Sequence, residues 1–281
     1  MSTIKPFHHL LAARESAVDS LLCVGLDPVI EKLPVSFPHT ATGVGDYLVA
    51  LIEATRDIVS SYKPNLPFYL ALGDEGNRVL RRVREAIPAD IPMVLDCKVN
   101  DLGDTARAWA QTAFDYIEAD AVVVNPYMGE DALAPYFNYG DKGVIVLAKT
   151  SNPGSGDVQD LILANGQSLY MHIAAQTNVW NERYSADIGM VVGATYPEQL
   201  TAVRALCPDA FILLPGLGAQ GGDVQASVTA GVDANGGALL CSSSRSIMYA
   251  SSESDFAEAA RTEAMKLRDE INLHRHQPAR A

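Results

Sequence analysis

Asp96-Cys-Lys98-Val-Asn-Asp101 crowds two carboxylates and an ammonium into six residues, directly after the apolar run Met93-Val-Leu95. Residues two apart in an extended chain share a face. Asp96 and Lys98 are therefore expected on one side of a strand, with Cys97 pointing away. Asp101 follows as the chain leaves the strand, Gly103 marks a turn, and Thr105 stands near the start of a helical pattern over 106–117. Buried charges are costly unless paired. One reading is a structural ion pair with both ends in water. The other is a lysine held protonated by flanking carboxylates, ready to deliver a proton. The motif alone does not separate them, because ion-pair networks also perturb pKa values.

Other unusual polar residues close other apolar runs. Asp27 ends Leu21-Leu-Cys-Val-Gly-Leu, and Lys63 ends a second run at Tyr62-Lys63-Pro64-Asn65. Ser151 follows the run 143–148. Pro215 opens Pro215-Gly-Leu-Gly-Ala-Gln220-Gly-Gly222, and Arg245 follows Ser242-Ser-Ser. Glycines let backbone amides approach an anion closely, and the planar guanidinium of Arg245 can grip two phosphate oxygens. A lone glycine-rich loop is only a tight turn. Paired with Ser-Ser-Ser-Arg at the next strand end, it points to phosphate.

These residues need elements to hold them. A helix is expected over 5–19. Strands follow at 21–27, 59–65, 91–98, 119–124, 143–148, 188–192, 211–214 and 237–241, each succeeded by a helical pattern. Near-continuous apolar strands alternating with helices imply a parallel sheet covered on both faces. Eight units in 281 residues fit a closed (β/α)8 TIM barrel, a single α/β domain over 1–281 with a frayed polar tail at about 272–281. No G-x-G-x-x-G follows the first strand, which weakens a dinucleotide-binding reading. Active sites of such barrels lie at the carboxyl ends of the strands, where the polar residues above fall.

Composition narrows the partners. A formal charge of -13 argues against nucleic acid, so any phosphate must be gripped locally. No run is long enough to span a membrane. His8, His9, Arg14, Glu15 and Asp19 interrupt any signal-peptide core, so a cytoplasmic protein is expected. Cys23, Cys97, Cys207 and Cys241 form no C-x-x-C pair and no zinc spacing. No metal site and no cofactor motif is expected. Arg78, Arg81, Arg82 and Arg84 read as the wet face of a helix.

Asp96-x-Lys98-x-x-Asp101-Leu102 resembles the D-x-K-x-x-D-I signature of the orotidine 5′-phosphate decarboxylase family. The resemblance extends over nearly the whole chain, toward the longer bacterial branch. It rests also on Cys-Val-Gly-Leu-Asp27-Pro, Lys63-Pro-Asn, Val-Asn-Pro-Tyr-Met-Gly129, Thr-Ser151-Asn-Pro-Gly, Pro-Gly-Leu-Gly-Ala-Gln220-Gly-Gly and Ser-Arg245-Ser-Ile. Leu102 stands where Ile is usual, and Val99-Asn100 replaces a pair that is often Arg-Gly.

The resemblance implies decarboxylation of orotidine 5′-monophosphate to UMP, the last step of pyrimidine nucleotide synthesis, without a cofactor. Lys98 would donate the proton to C6, and Asp96 would lie beside the substrate carboxylate. Lys63 and Asp101 would complete an alternating chain, Lys63–Asp96–Lys98–Asp101. Asp27 and Lys63 would bind ribose hydroxyls, Ser151 the pyrimidine ring, and Gln220 and Arg245 the phosphate, with Pro215 lining the substrate site. Asp101 and Thr105 would come from the partner subunit of an obligate homodimer. The loop around Gln220, and residues 151–160, are candidate lids. Magnesium-dependent sugar-phosphate decarboxylases and synthases share the D-x-K-x-x-D strand, but they resemble this chain less, having an acidic residue where Lys63 stands. A non-catalytic phosphate-binding barrel is the other alternative.

Overall fold

Eight short apolar runs become eight parallel strands in the computed structural model, which describes residues 5–217 and 223–275. They are β1 Leu22–Leu26, β2 Ser61–Pro64, β3 Val94–Val99, β4 Ala121–Val124, β5 Gly143–Lys149, β6 Asp187–Val192, β7 Ile212–Pro215 and β8 Leu239–Ser243. Hydrogen-bonded neighbours run β2-β1-β8-β7-β6-β5-β4-β3. Parallel bridges Tyr62–Met93 and Asn65–Asp96 join the two ends, so the sheet closes on itself. The (β/α)8 barrel expected from the alternation is the fold observed.

Helix α1, Pro6–Val18, precedes the barrel. After the strands come α2 Ala41–Thr55, α3 Gly76–Ala86, α4 Gly103–Gln111, α5 Glu130–Phe137, α6 Leu169–Arg183, α7 Pro197–Leu206, α8 Val224–Gly231 and α9 Phe256–Arg275. Apart from the carboxyl end of β3, the strands are largely buried on both faces, which is why the runs are continuous and not alternating. Inward-facing Cys23, Val94, Ala121, Val123, Ile145, Val191, Leu213 and Leu240 pack the barrel's interior. The outward-facing residues join a second, larger core beneath the helices.

Helix α1 stoppers the amino end of the barrel. Phe7 and Leu11 belong to the interior core, and the Phe7 ring lies 5.1 Å from that of Phe211. The fit is close: a Cβ on Gly143 would sit 2.6 Å from the Phe7 ring. The stoppered end leaves the carboxyl ends of the strands as the place for a site.

Two expectations need correction, at residues 272–275 and at the start of the fourth helix. The segment 272–275 is not frayed, because α9 continues through it; Asn272 Nδ2 donates to the Asp19 carbonyl at 2.8 Å, and the buried Arg275 pairs with the Asp19 carboxylate. Between β5 and α6, which starts at Leu169, a small hairpin has its bridge between Ile162 and Ser168. The fourth helix starts at Gly103 and ends in a π-helical turn, Thr112–Tyr116, so Thr105 lies inside its first turn. Among the described residues no helix is long and apolar enough to cross a membrane.

Candidate active site

The barrel mouth encloses a cavity of about 530 Å³. Asp27, Lys63, Asp96, Lys98, Ser151, Pro215 and Arg245 all line it, drawn from the ends of six strands, with Asp96 and Lys98 both on β3. Val123, Val191 and Leu213 supply its apolar base. A larger hollow, about 970 Å³, lies on the outer wall between α7 and α8. Arg204, half-buried in its wall, is committed to the carbonyls of Gly231, Cys207, Pro208, Ala210 and Ala238. Convergent groups with unspent charge are found at the mouth.

Asp96 is the centre of the charge arrangement. Only 6% of it is exposed, and Lys63 beside it is 5% exposed. Lys63 Nζ donates to Asp96 Oδ2 at 3.0 Å, and Lys98 Nζ donates to Asp96 Oδ1. Burial disfavours the ionised carboxyl, but the two ammonium groups outweigh it and hold Asp96 below the usual carboxylate range. Burial likewise opposes the charge on Lys63. Asp96 and Asp27 overcome that and push its pKa above that of an ordinary lysine. The Lys98 side chain is 45% exposed and lines the cavity.

Lys98 reaches Asp96 by an unexpected route. Its φ is +53°, a left-handed backbone that lysine rarely adopts. The pairing of β3 with β4 slips between Asp96 and Val99, so a bulge interrupts the strand at this residue. Bulges re-aim side chains beside active sites, and retained backbone strain of this kind clusters at functional positions. Cys97 packs toward the outer core, its thiol directed at the Val123 carbonyl at 3.5 Å. Burial pushes that thiol up to about 11, which makes it a poor nucleophile.

Asp27 Oδ1 is buried and has no hydrogen-bond partner among the described residues. A buried carboxylate oxygen without a donor is expensive, and a ligand hydroxyl at the mouth could supply one. The exposed Arg245 opens a short turn, Arg245–Met248, at the end of β8. It forms no ion pair among the described residues, so it remains available to an anion.

Not every expected residue joins this cavity. Asp101 is half-buried, and its Oδ1 accepts from Leu102 N–H at 2.8 Å. Thr105 is exposed on α4. Neither lines the mouth of its own chain, and Asp101 does not extend the Lys63–Asp96–Lys98 line there. Gln220, with Gly218, Gly221 and Gly222, lies outside the described residues.

The sequence reading missed other contributors. Lys32 lines the mouth with its Nζ 5.6 Å from the Tyr249 ring centroid. The Tyr249 hydroxyl accepts from Val29 N–H at 2.8 Å and lies 3.3 Å from the Asp27 carbonyl, steadying the end of β1. Lys149, placed beyond the fifth strand, is its fully buried last residue. An ammonium at the end of an apolar run was the available signal for Lys149; Lys32 gave none.

Residues 20–261 match the orotidine 5′-phosphate decarboxylase / HUMPS family. The chain belongs to this family. It is 46% identical over 261 residues to the orotidine 5′-phosphate decarboxylase of Thermomicrobium roseum, covering 92% of each chain. It is 43% identical over 273 residues to that of Ralstonia pickettii, covering 96% of this chain and 99% of the other. The solved structure of Leishmania donovani OMP decarboxylase superposes with a TM-score of 0.84 at 40% identity, covering 97% of this chain and 100% of the other.

Proposed function

We propose that the protein decarboxylates orotidine 5′-monophosphate, releasing carbon dioxide and forming UMP, with Lys98 as the proton donor. The observation that carries the reading is the line Lys63–Asp96–Lys98, a buried ion pair continued by an ammonium that faces the cavity. Loss of carbon dioxide leaves an electron pair on C6 of the pyrimidine. An ammonium at that carbon stabilises the developing charge and then delivers its proton, the neutral amine regaining one from solvent. Asp96 is kept ionised by its two cations, so it positions Lys98 and presents negative charge to the substrate carboxylate. Preorganised charge in a water-poor site acts strongly on a transition state, and a positioned general acid contributes about 10²–10⁴-fold. Asp27 and Lys63 suit ribose hydroxyls, Ser151 and Pro215 the ring, and Arg245 the phosphate, with Gln220 assigned to phosphate by sequence resemblance alone. Phosphate binding far from C6 can supply energy for closing the site.

The reading extends to assembly. Asp101 and Thr105 would complete the partner's cavity in a homodimer. Their position outside their own mouth supports this, as do the exposed side chains of Leu102 and, at 87%, Tyr127 on the neighbouring strand-end loop. The two loops are tied together by Asn100 Nδ2, which donates to the Asn125 carbonyl at 2.6 Å. The four cysteines are all unpaired, in keeping with a cytoplasmic enzyme. The charge of -13 disfavours nucleic-acid partners. The magnesium-dependent alternative is disfavoured because Lys63 places an ammonium 3.0 Å from Asp96, where a cation would be repelled.

The test is to add orotidine 5′-monophosphate with EDTA present and follow the ultraviolet change on conversion to UMP. Turnover should be unaffected by the chelator. No conversion with or without added magnesium would overturn the assignment, and turnover that disappears with EDTA would overturn the metal-independent mechanism.

A further inference from the structure

Lys149 is a fully buried lysine that the charge line at the mouth does not use. Its Nζ sits 4.8 Å from the Tyr196 ring centroid and 5.9 Å from that of Tyr170. Its carboxylate partner among the described residues is Asp160, with Nζ and Oδ1 2.7 Å apart. Asp160 is itself 43% exposed, at the far end of the loop that begins Thr150-Ser151-Asn152. A second tie lies just inside the first. Thr150 N–H donates to Gln159 Oε1 at 2.9 Å, and Gln159 Nε2 donates to Thr150 Oγ1 at 2.9 Å. Both ends of the segment 150–160 are thereby fastened to the end of β5.

Ser151 and Asn152 lie between the fastenings and line the mouth. The backbone of Ser151 is pressed against the end of β6, where a Cβ on Gly193 would come within 2.9 Å of Ser151 Cα. A displacement of this loop therefore shifts Ser151 directly. Aromatic rings favour the Lys149 ammonium, but a buried charge deprived of its anion is strongly destabilised. Lifting the loop takes Asp160 away from Lys149. The buried ammonium thus biases the loop toward its seated position.

We propose that Lys149 and Asp160 form a latch that positions Ser151 against the pyrimidine ring, a pair of positioning residues for the decarboxylation; the part concerning the ring rests on the function proposed above. Lys149→Met alters the buried core and is a poor first test. Asp160→Asn keeps size and exposure while removing the charge. It should lower kcat/KM about ten- to a hundredfold, as small misplacements of binding groups do, with the melting temperature little changed. Asp160→Glu should recover part of the loss. In a Ser151→Ala background, Asp160→Asn should cost less than about twofold further, because the latch then has nothing to position. General loosening of the fold would act equally in both backgrounds.

Amide hydrogen exchange supplies a readout that needs no substrate. Asp160→Asn should accelerate exchange across 150–160 and leave the strands unchanged. Unchanged exchange together with kcat/KM within twofold of wild type would overturn the latch. Equal losses in both backgrounds would remove its link to Ser151. Faster loop exchange in a protein whose wild type ignores orotidine 5′-monophosphate would overturn the substrate assignment and leave the latch standing.

Discussion

Asp96 is held by two cations of unlike accessibility, and that asymmetry decides what each substitution should do. Lys63 is buried with Asp96, whereas Lys98 is half exposed to the cavity. Lys98→Ala therefore leaves the inner ion pair intact. We expect a folded protein whose kcat falls by at least about 10²–10⁴-fold, the contribution of a positioned general acid. Steady-state kinetics beside a thermal melt checks this; a variant keeping more than a tenth of wild-type kcat would remove Lys98 from the mechanism. Asp96, Lys98 and Lys63 were legible because charged residues at the ends of apolar runs are rare and strand spacing is regular. The left-handed backbone at Lys98 was not legible, since a bulge arises from pairing with β4. Nor was the pairing of Lys149 with Asp160, which depends on how the intervening loop folds back.

Helix α1 carries a second buried carboxyl, at the opposite end of the barrel from the mouth. Burial pushes Glu15 up to about 8; a backbone hydrogen bond with Ala238 pulls it down, Asp233 pushes it up, and Arg275 pulls it down. The folded protein thus binds this proton more tightly than the unfolded chain, whose Glu titrates near 4.5. Its stabilising contribution is complete below that value and is lost as pH rises through about 8. Each pKa unit corresponds to about 1.4 kcal/mol, so the loss is a matter of a few kcal/mol. Glu15→Gln should flatten the decline of melting temperature over this window. Asp187, also pushed up by burial, titrates in the same direction, so the curve should not become level. Identical slopes in the variant and wild type would exclude Glu15 as the source. At this scale the alternation of strands and helices was readable from apolar runs. The hairpin bridge at Ile162 and Ser168 was not, because a few main-chain bonds define it without any periodic pattern.

The whole molecule is proposed to work in pairs, and subunit mixing tests that directly. Lys98→Ala and Asp101→Ala subunits should each be inactive alone. In a mixed dimer with shared sites, the site on the Asp101→Ala subunit keeps its own Lys98 and borrows an intact Asp101, while the opposite site carries both defects. Random assortment makes about half the dimers mixed, so activity should recover to about a quarter of wild type. No recovery, with subunit exchange verified, would place Asp101 in its own protomer's site. The stopper formed by Phe7 and Leu11 has a separate consequence. A barrel plugged at one end is a cul-de-sac, and two products must share its single doorway. On the function proposed above, carbon dioxide would be released beside Asp96 and Lys98 at the inner wall, behind the nucleotide that produced it. Being small and uncharged, the gas can slip past while the phosphate is still gripped, so it should leave first and UMP last. Traffic in reverse follows the same rule: labelled carbon dioxide can return to the pyrimidine only while UMP still occupies the lane.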